Sequence, residues 1–360
     1  MKKIIDSLFE DKDLSDKDFI VLINNDSHDD YLFQKADTVR QSIYGTGIYI
    51  RGLIEFSNYC KNNCYYCGIR SDNKTIERYR LEKKHILDCC SHGYELGFRT
   101  FVLQGGEDYF YSEELIKEII IEIKSRFIDC AISLSMGERS FETYNTWFQA
   151  GANRYLLRHE TANSEHYKML HPAKMTYRNR IECLYSLKKI GYQVGSGFMV
   201  GSPFQTTEIL LEDLRFLQLL QPEMIGIGPF ISHHQTPFHK FPNGDYRKCL
   251  RLISIIRLMF PYSLIPATTA LATINKEGRE KGLLAGANVI MPNLSPKRYR
   301  KKYQIYDNKI CTEEEAAESL SILKKKVETI GYSIVSDIGH AKKKVLENDL
   351  AIKGNEIINL

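Results

Sequence analysis

The chain has 360 residues, 43% of them hydrophobic and 26% charged, with a formal net charge of +4. These proportions exclude a disordered or collagen-like chain, and the charge is too small to mark nucleic acid or a membrane surface as partner. The longest apolar runs, such as 119–121 and 194–200, are far too short to span a bilayer. The start of the chain has no apolar signal core, because Asp6, Glu10 and Asp11 interrupt it, so a cytoplasmic location is expected.

Residues 1–45 read as helical, with apolar positions at Ile4, Ile5, Leu8 and Phe9 and then at Phe19, Ile20 and Leu22. After Gly47 short apolar or β-branched runs alternate with longer stretches of helical period. Strands are predicted at 48–56, 100–104, 131–135, 155–160, 193–200, 224–228, 264–267 and 288–291. Helices are predicted at 82–96, 112–124, 177–190 and 207–220. In the last of these Ile209, Leu210, Leu214 and Leu217 share a face; Pro203 and Thr206-Thr207 mark its start, and Gly191 stops the helix before it. Eight strands alternating with helices predict an α/β fold, a complete (β/α)8 barrel of the TIM type. A doubly wound sheet is the competitor, but it needs an insertion or a second domain to use this length. The expected division is an N-terminal helical cap at 1–45, the barrel at 46–310 and a C-terminal helical tail at 311–360 packed on it.

Nine cysteines, an odd number without a signal peptide, argue for reduced thiols. Cys60, Cys64 and Cys67 lie together directly after the first predicted strand. Three thiolates in one loop can wrap a soft metal centre. A structural zinc wants a fourth protein ligand, and no His or Cys lies between Cys67 and His85 to supply one locally. On a four-iron, four-sulfur cluster the same three leave one iron open to a chelating amine and carboxylate. The Cys-x3-Cys-x2-Cys spacing, with an aromatic before the third Cys, is the signature of radical S-adenosylmethionine (SAM) enzymes.

The stretch 54–81, IEFSNYCKNNCYYCGIRSDNKTIERYRL, resembles the HydE family, radical SAM maturases of FeFe-hydrogenase within the biotin synthase-like group. Matching blocks follow in order at 103–108, 154–162, 226–230, 266–270 and 286–293. The resemblance implies one 4Fe-4S cluster on Cys60, Cys64 and Cys67, with SAM as the second cofactor. It assigns the SAM carboxylate to Arg180, whose fork pairs with both oxygens. Glu160 becomes an acid contacting SAM, Gly105, Gly106 and Glu107 a backbone approach to its methionine part, and Tyr66 a flank for the adenine. Arg158, Thr268 and Thr269 would line the barrel interior and bind small anionic groups, since hydroxyls and a guanidinium are costly to bury unpaired. The implied substrate is a small molecule, an iron–carbonyl–cyanide–cysteine complex. The implied partners are a reductant such as a ferredoxin or flavodoxin, the maturase HydG and the scaffold maturase, with neither nucleic acid nor membrane. Some members carry a second cluster on Cys-x7-Cys-x2-Cys near the C-terminus. Here Cys311 stands alone, with Ser319 and Ile322 at the other two places, so no second C-terminal cluster is expected.

Plainer readings stand beside these. Arg158 and Glu160 could be an ordinary ion pair, Gly105-Gly106 a simple turn and Arg180 a solvated helix residue. Met224 and Met291 read as core, as does Cys89-Cys90. His233-His234, with His239, has no carboxylate or Cys at ligand spacing and reads as a loop at the barrel mouth. The run Lys297-Arg298-Tyr299-Arg300-Lys301-Lys302 suits a solvated face or a patch for an acidic partner. Other functions open at this point are a methylornithine synthase-like mutase, a biotin synthase-like enzyme and, in a different class, a metal-stabilised RNA-binding module.

Overall fold

A computed structural model describes residues 1–310 and 316–342. Its strands are β1 (Gly47–Ile50), β2 (Gly52–Ser57), β3 (Thr100–Gly105), β4 (Ala131–Ser135), β5 (Arg154–Leu156), β6 (Gln193–Ser196), β7 (Met199–Val200), β8 (Met224–Ile225), β9 (Gly228–Pro229), β10 (Val289–Ile290) and β11 (Ser333–Val335). One sheet runs β2-β3-β4-β5-β6-β8, every pair parallel. Three parallel bridges then close the circle, from Met224 to Leu264, from Pro266 to Val289 and from Asn293 to Leu53. Counting the 264–267 segment as the seventh position and β10 as the eighth, the barrel is a complete (β/α)8.

Several strands are shorter than the apolar runs predict. The 193–200 run breaks into β6 and β7 at Gly197, whose φ is 151° and where a Cβ would meet the Gly226 carbonyl oxygen at 2.1 Å. The 224–228 run breaks beside it, and β7 pairs with β9 as a second rung. The fifth strand leaves the ladder after Leu156; Glu160, with a left-handed φ of 65°, keeps only an isolated bridge to Phe198. The 264–267 run makes bridges without a ladder.

Helices Tyr177–Ile190 and Thr207–Leu220 have their predicted bounds. Thr176 and Thr206 accept from the backbone N–H groups of Asn179 and Ile209, and Gly191 ends the first helix in the left-handed region. Such a cap is worth about 1 kcal/mol. Helices Lys83–Glu95 and Glu113–Arg126 differ from expectation only at their ends.

Three N-terminal helices, Lys2–Asp11, Asp16–Asn24 and Asp29–Tyr44, cover the outside of helix Tyr246–Met259. That helix is therefore buried continuously from Cys249 to Met259, between the barrel wall and the N-terminal layer. The C-terminal segment returns to the other end of the barrel. There β11 pairs with β1, and the Ile338 carbonyl accepts from Thr100 Oγ1 at 2.7 Å and Arg154 Nη2 at 2.9 Å. This stops the end of the barrel opposite the cysteine loop. Among the described residues no helix is long and apolar enough to cross a membrane. Cys311, and with it the expectation about a second cluster, lies outside the described residues.

One buried ion pair joins the N-terminal layer to the barrel. Arg251 donates to both Asp29 oxygens, at 2.6 and 3.0 Å, and to the Ile23 carbonyl at 2.9 Å. Replacing Asp29→Ala leaves the guanidinium buried and unpaired, which should cost about 3–5 kcal/mol, whereas Asp29→Leu with Arg251→Met should be nearly neutral. Urea unfolding midpoints test this; equal loss in the single and double variants contradicts it.

Candidate active site

The cysteine loop follows β2 and has no helix or strand of its own from Asn58 to Ile69. Its shape is imposed by side chains from outside it. Arg78 donates to four backbone carbonyls: Asn58, Ile69 at 2.9 Å, Arg70 at 2.7 Å and Asn73 at 3.0 Å. Asn58 Nδ2 donates to the Glu77 and Lys302 carbonyls, and its Oδ1 accepts from the Tyr79 N–H. Gly106, just past β3, lies so close that a Cβ would meet the Tyr59 carbonyl oxygen at 2.1 Å and Cys60 Cβ at 2.8 Å. The neighbouring Glu107 N–H points at Cys60 Sγ, 3.4 Å away. Gly105 is closed on its Cβ side by the Phe56 ring. The glycine pair is therefore not a simple turn; it lets the end of β3 lie against the loop.

The three sulfurs are not all within 4.8 Å of one another. Two ligands of one zinc can stand at most twice the Zn–S length apart, about 4.6 Å. Burial raises all three thiols: Cys67 is pushed up to about 12, with Cys60 adding to it, and Cys64 well above the usual thiol range. Metal loading must displace these protons.

On the far side of the loop, polar groups crowd the mouth. Arg180, early on helix Tyr177–Ile190, is buried rather than solvated. Its Nε donates to Glu138 Oε1 at 2.6 Å and its Nη1 to the Arg158 carbonyl at 2.7 Å. Burial would lower its pKa, but Tyr167, Glu138, Glu107 and Tyr66 outweigh that and raise it, which keeps it cationic. Tyr66 donates to His171 Nε2 at 3.0 Å, because His171 Nδ1 faces the Tyr167 carbonyl. Arg158 Nη2 and Glu160 Oε2 form an ion pair at 3.1 Å, and Glu107 Oε2 meets two cations, Lys61 Nζ at 3.2 Å and Arg139 Nη1 at 4.0 Å. Arg158 Nε, the Tyr167 hydroxyl and Thr268 Oγ1 are instead buried without hydrogen-bond partners. A native fold rarely leaves such atoms unpaired. They mark where a polar ligand completes the site.

Glu160 is held in its strained conformation from both sides. Asp213 accepts from the Ala162 N–H at 2.6 Å and faces His159 Nε2 at 3.3 Å, and Ser196 Oγ lies 2.9 Å from His159 Nδ1. Burial pushes His159 down to about 3, so the ring is neutral. A left-handed non-glycine residue costs about 1–3 kcal/mol, and these contacts offset it. Thr268 and Thr269 begin a short helix after the seventh barrel position, and Thr268 Oγ1 is buried without a partner. Gly228 makes room for it, since a Cβ there would meet that oxygen at 2.9 Å. The structure thus gathers Cys60, Gly105, Gly106 and Glu107 on one side of the mouth. Tyr66, Arg158, Glu160 and Arg180 form the other side, and the two threonines sit on a third wall. Arg78, Glu138 and Asp213 were missed from the sequence. Only Arg78 carried a signal, lying within the stretch that resembles HydE.

The histidine pair does acquire a carboxylate, which spacing could not show. Asp307 lies 2.7 Å from His234 Nδ1 and 3.8 Å from His233 Nε2. Two ligands each about 2.0–2.2 Å from one ion would stand farther apart than 2.7 Å. His233 Nδ1 accepts from the Gln235 N–H, so the neutral ring carries its proton on Nε2. His234 and Asp307 are hydrogen-bonded, whereas His233 Nε2 has no hydrogen-bond partner; the His233 ring backs the cysteine loop, since a Cβ on Gly68 would meet it at 2.4 Å. The basic run is only partly built into the fold. Arg300 is buried and donates to the Ser295 carbonyl, Tyr299 stacks on Tyr79, and Lys302 pairs with Glu77, whereas Lys297, Arg298 and Lys301 are exposed. Cys89, Cys90 and Met224 are core.

The sequence pattern of the Radical SAM superfamily matches residues 54–217. An FeFe-hydrogenase maturase subunit HydE of Thermotoga maritima is 43% identical over 325 residues, 90% of this chain and 92% of that protein. A 3-methylornithine synthase of Methanosarcina acetivorans is 30% identical over 290 residues, 79% of this chain and 81% of its own. Among solved structures, methylornithine synthase PylB aligns with a TM-score of 0.82 at 28% identity, over 92% of this chain and 97% of that one. HydG, a maturase of the FeFe-hydrogenase, shares the fold with a TM-score of 0.76 at 22% identity, over 93% and 75%.

The loop's dependence on two contacts is testable. Arg78→Lys removes the fork that spans four carbonyls, and Gly106→Ala drives a methyl into the Tyr59 carbonyl. Each should cut iron bound after anaerobic reconstitution to well under half while far-ultraviolet circular dichroism stays unchanged. Full iron loading in both variants contradicts this account of the loop.

Proposed function

The chain belongs to the HydE family of radical SAM enzymes, and on that premise we propose how its barrel mouth serves maturation of an FeFe-hydrogenase. The family implies a four-iron, four-sulfur cluster and SAM. The donor set fits both: three thiols in one loop, beside the buried Arg180 guanidinium and the carboxylates of Glu160 and Glu107. A bound, reduced cluster would supply the one electron that cleaves the SAM sulfonium to methionine and a 5′-deoxyadenosyl radical.

Cys60, Cys64 and Cys67 hold three irons. Arg180 is fixed through Nε and Nη1, which leaves Nη2 to reach the SAM carboxylate. Glu160 and Glu107, held at the mouth by ion pairs to Arg158 and Lys61 respectively, would accept from the amine or hydroxyls of SAM. Tyr66, pinned by His171, gives the adenine a fixed edge. Backbone past Gly105 and Gly106 lies beside the methionine part. Deeper in the barrel, Arg158, Thr268 and Thr269 offer donors to a small anionic substrate, which we take to be an iron–carbonyl–cyanide–cysteine complex. HydG would supply it, a scaffold maturase would receive the product, and a ferredoxin or flavodoxin would supply electrons. Resemblance to 3-methylornithine synthase is weaker, 30% identity against 43%, so the mutase reading is not adopted.

The observation that carries this reading is the buried polar lining beside the three-thiol loop, in which Arg158 Nε, the Tyr167 hydroxyl and Thr268 Oγ1 have no partner. The test is restoration of hydrogenase activity in a maturation system lacking its HydE. The unaltered protein should restore it and Cys64→Ala should not. Arg158→Met should still form 5′-deoxyadenosine but lower maturation by about tenfold or more. SAM cleavage without any restoration contradicts the maturase assignment.

A further inference from the structure

Cleaving one SAM consumes one electron, and no side chain at the mouth can act as its store. A carrier outside the protein must lose that electron, and it must come close to the cysteine loop to pass it on. The exposed surface directly over Cys60 is unusual. Among the described residues Tyr109 and Phe110 are 70% and 56% exposed, and Tyr59, next to Cys60, is 36% exposed. Isolated exposed aromatics are ordinary, but these are contiguous and interleaved with cations. The Arg80 guanidinium lies 3.9 Å from the Tyr59 ring centroid and 4.7 Å from that of Phe110. Lys61, on the other side of Cys60, lies 4.7 Å from the Tyr109 ring and donates to its hydroxyl at 2.8 Å.

The charges on this patch are sorted by depth. Lys61 and Arg80 are paired with Glu107 and Asp108, at 3.2 and 2.7 Å, but the carboxylates lie underneath at 7% and 4% exposure while both cations are 34% exposed. A partner therefore meets positive charge and aromatic faces, with the acids behind them. Beneath the same surface, Gly106 touches Cys60 and the Glu107 N–H points at Cys60 Sγ. The patch is made by both sequence neighbours of a cluster ligand and by the 107–110 segment that packs on that ligand.

We propose that the face formed by Tyr59, Lys61, Arg80, Tyr109 and Phe110 is where an acidic one-electron carrier protein docks to reduce the cluster through its Cys60 edge. This rests on the radical SAM reading above. The carrier is oxidised by one electron, and SAM is reduced by that electron to methionine and the deoxyadenosyl radical. Aromatic anchors supply affinity, and the outward cations orient an acidic partner and speed encounter at low salt.

The test uses the reconstituted holoenzyme and a purified, reduced flavodoxin of net negative charge. Two surface variants, Tyr109→Ser with Phe110→Ser, and Phe110→Asp alone, are compared with Ile128→Ser, a distant exposed apolar position. Both patch variants should weaken flavodoxin binding by at least about tenfold and slow flavodoxin-driven cluster reduction to a similar degree. Their iron content and dithionite-driven 5′-deoxyadenosine formation should stay unchanged, as should all properties of Ile128→Ser. Binding by the unaltered protein should weaken as salt rises. Unchanged flavodoxin binding in the patch variants, or equal loss in Ile128→Ser, overturns the proposal. Failure of the unaltered protein to cleave SAM with dithionite overturns the underlying reading, and the proposal with it.

Discussion

The barrel mouth depends on how one guanidinium holds an otherwise shapeless loop. Arg78 gathers four carbonyls between Asn58 and Asn73, so the backbone that carries the three cysteines turns around it. A lysine could not replace it, because one ammonium lacks the planar, wide-set donors. Gly106 then presses the end of β3 against Tyr59 and Cys60, and the His233 ring supports Gly68 behind Cys67. The loop is thus fixed on three sides before any metal arrives. That matters because the buried thiols are strongly disfavoured as thiolates until an ion compensates them.

The same economy recurs across the mouth. Barrel strands end early on this side, and each break turns a chain segment into a ligand-facing edge. The break after Leu156 brings Arg158 and Glu160 to the opening, and the neutral His159 with Asp213 keeps Glu160 in a conformation it would not choose alone. The break at Gly197 lets β7 and β9 form a second rung beneath the opening. Strain and unmet polar atoms are concentrated here, while the other end is stopped by the 338–339 carbonyls. A barrel closed at one end and unsatisfied at the other has one direction from which to take a ligand.

Much of this was legible in the sequence. Helices Tyr177–Ile190 and Thr207–Leu220 could be bounded closely because Thr206 and Gly191 are local signals read by local geometry. The cysteine loop was legible for the same reason. Strand lengths were less so, since an apolar run does not say where a positive φ or a close glycine contact will break the ladder. The seventh strand, 264–267, is apolar and buried like the others yet bonds only by isolated bridges. Least legible were partnerships across long separations. Glu138 meets Arg180 and Asp307 meets His234 only once the barrel has closed, and no spacing within either segment announces them. The basic run from Lys297 to Lys302 reads as a solvated face, and Lys297, Arg298 and Lys301 are exposed; that the Lys302 carbonyl also braces Asn58 could not be read from its charge.

The central claim is that three loop thiols leave one cluster iron for SAM, beside Arg180 and Glu160. It is tested most directly by electron paramagnetic resonance of the reconstituted, dithionite-reduced protein with and without SAM. The account predicts about four irons per chain, a reduced-cluster signal that changes when SAM is added, and loss of that change in Arg180→Met with the cluster intact. A protein that binds one metal ion per chain, or a cluster signal indifferent to SAM, would contradict it.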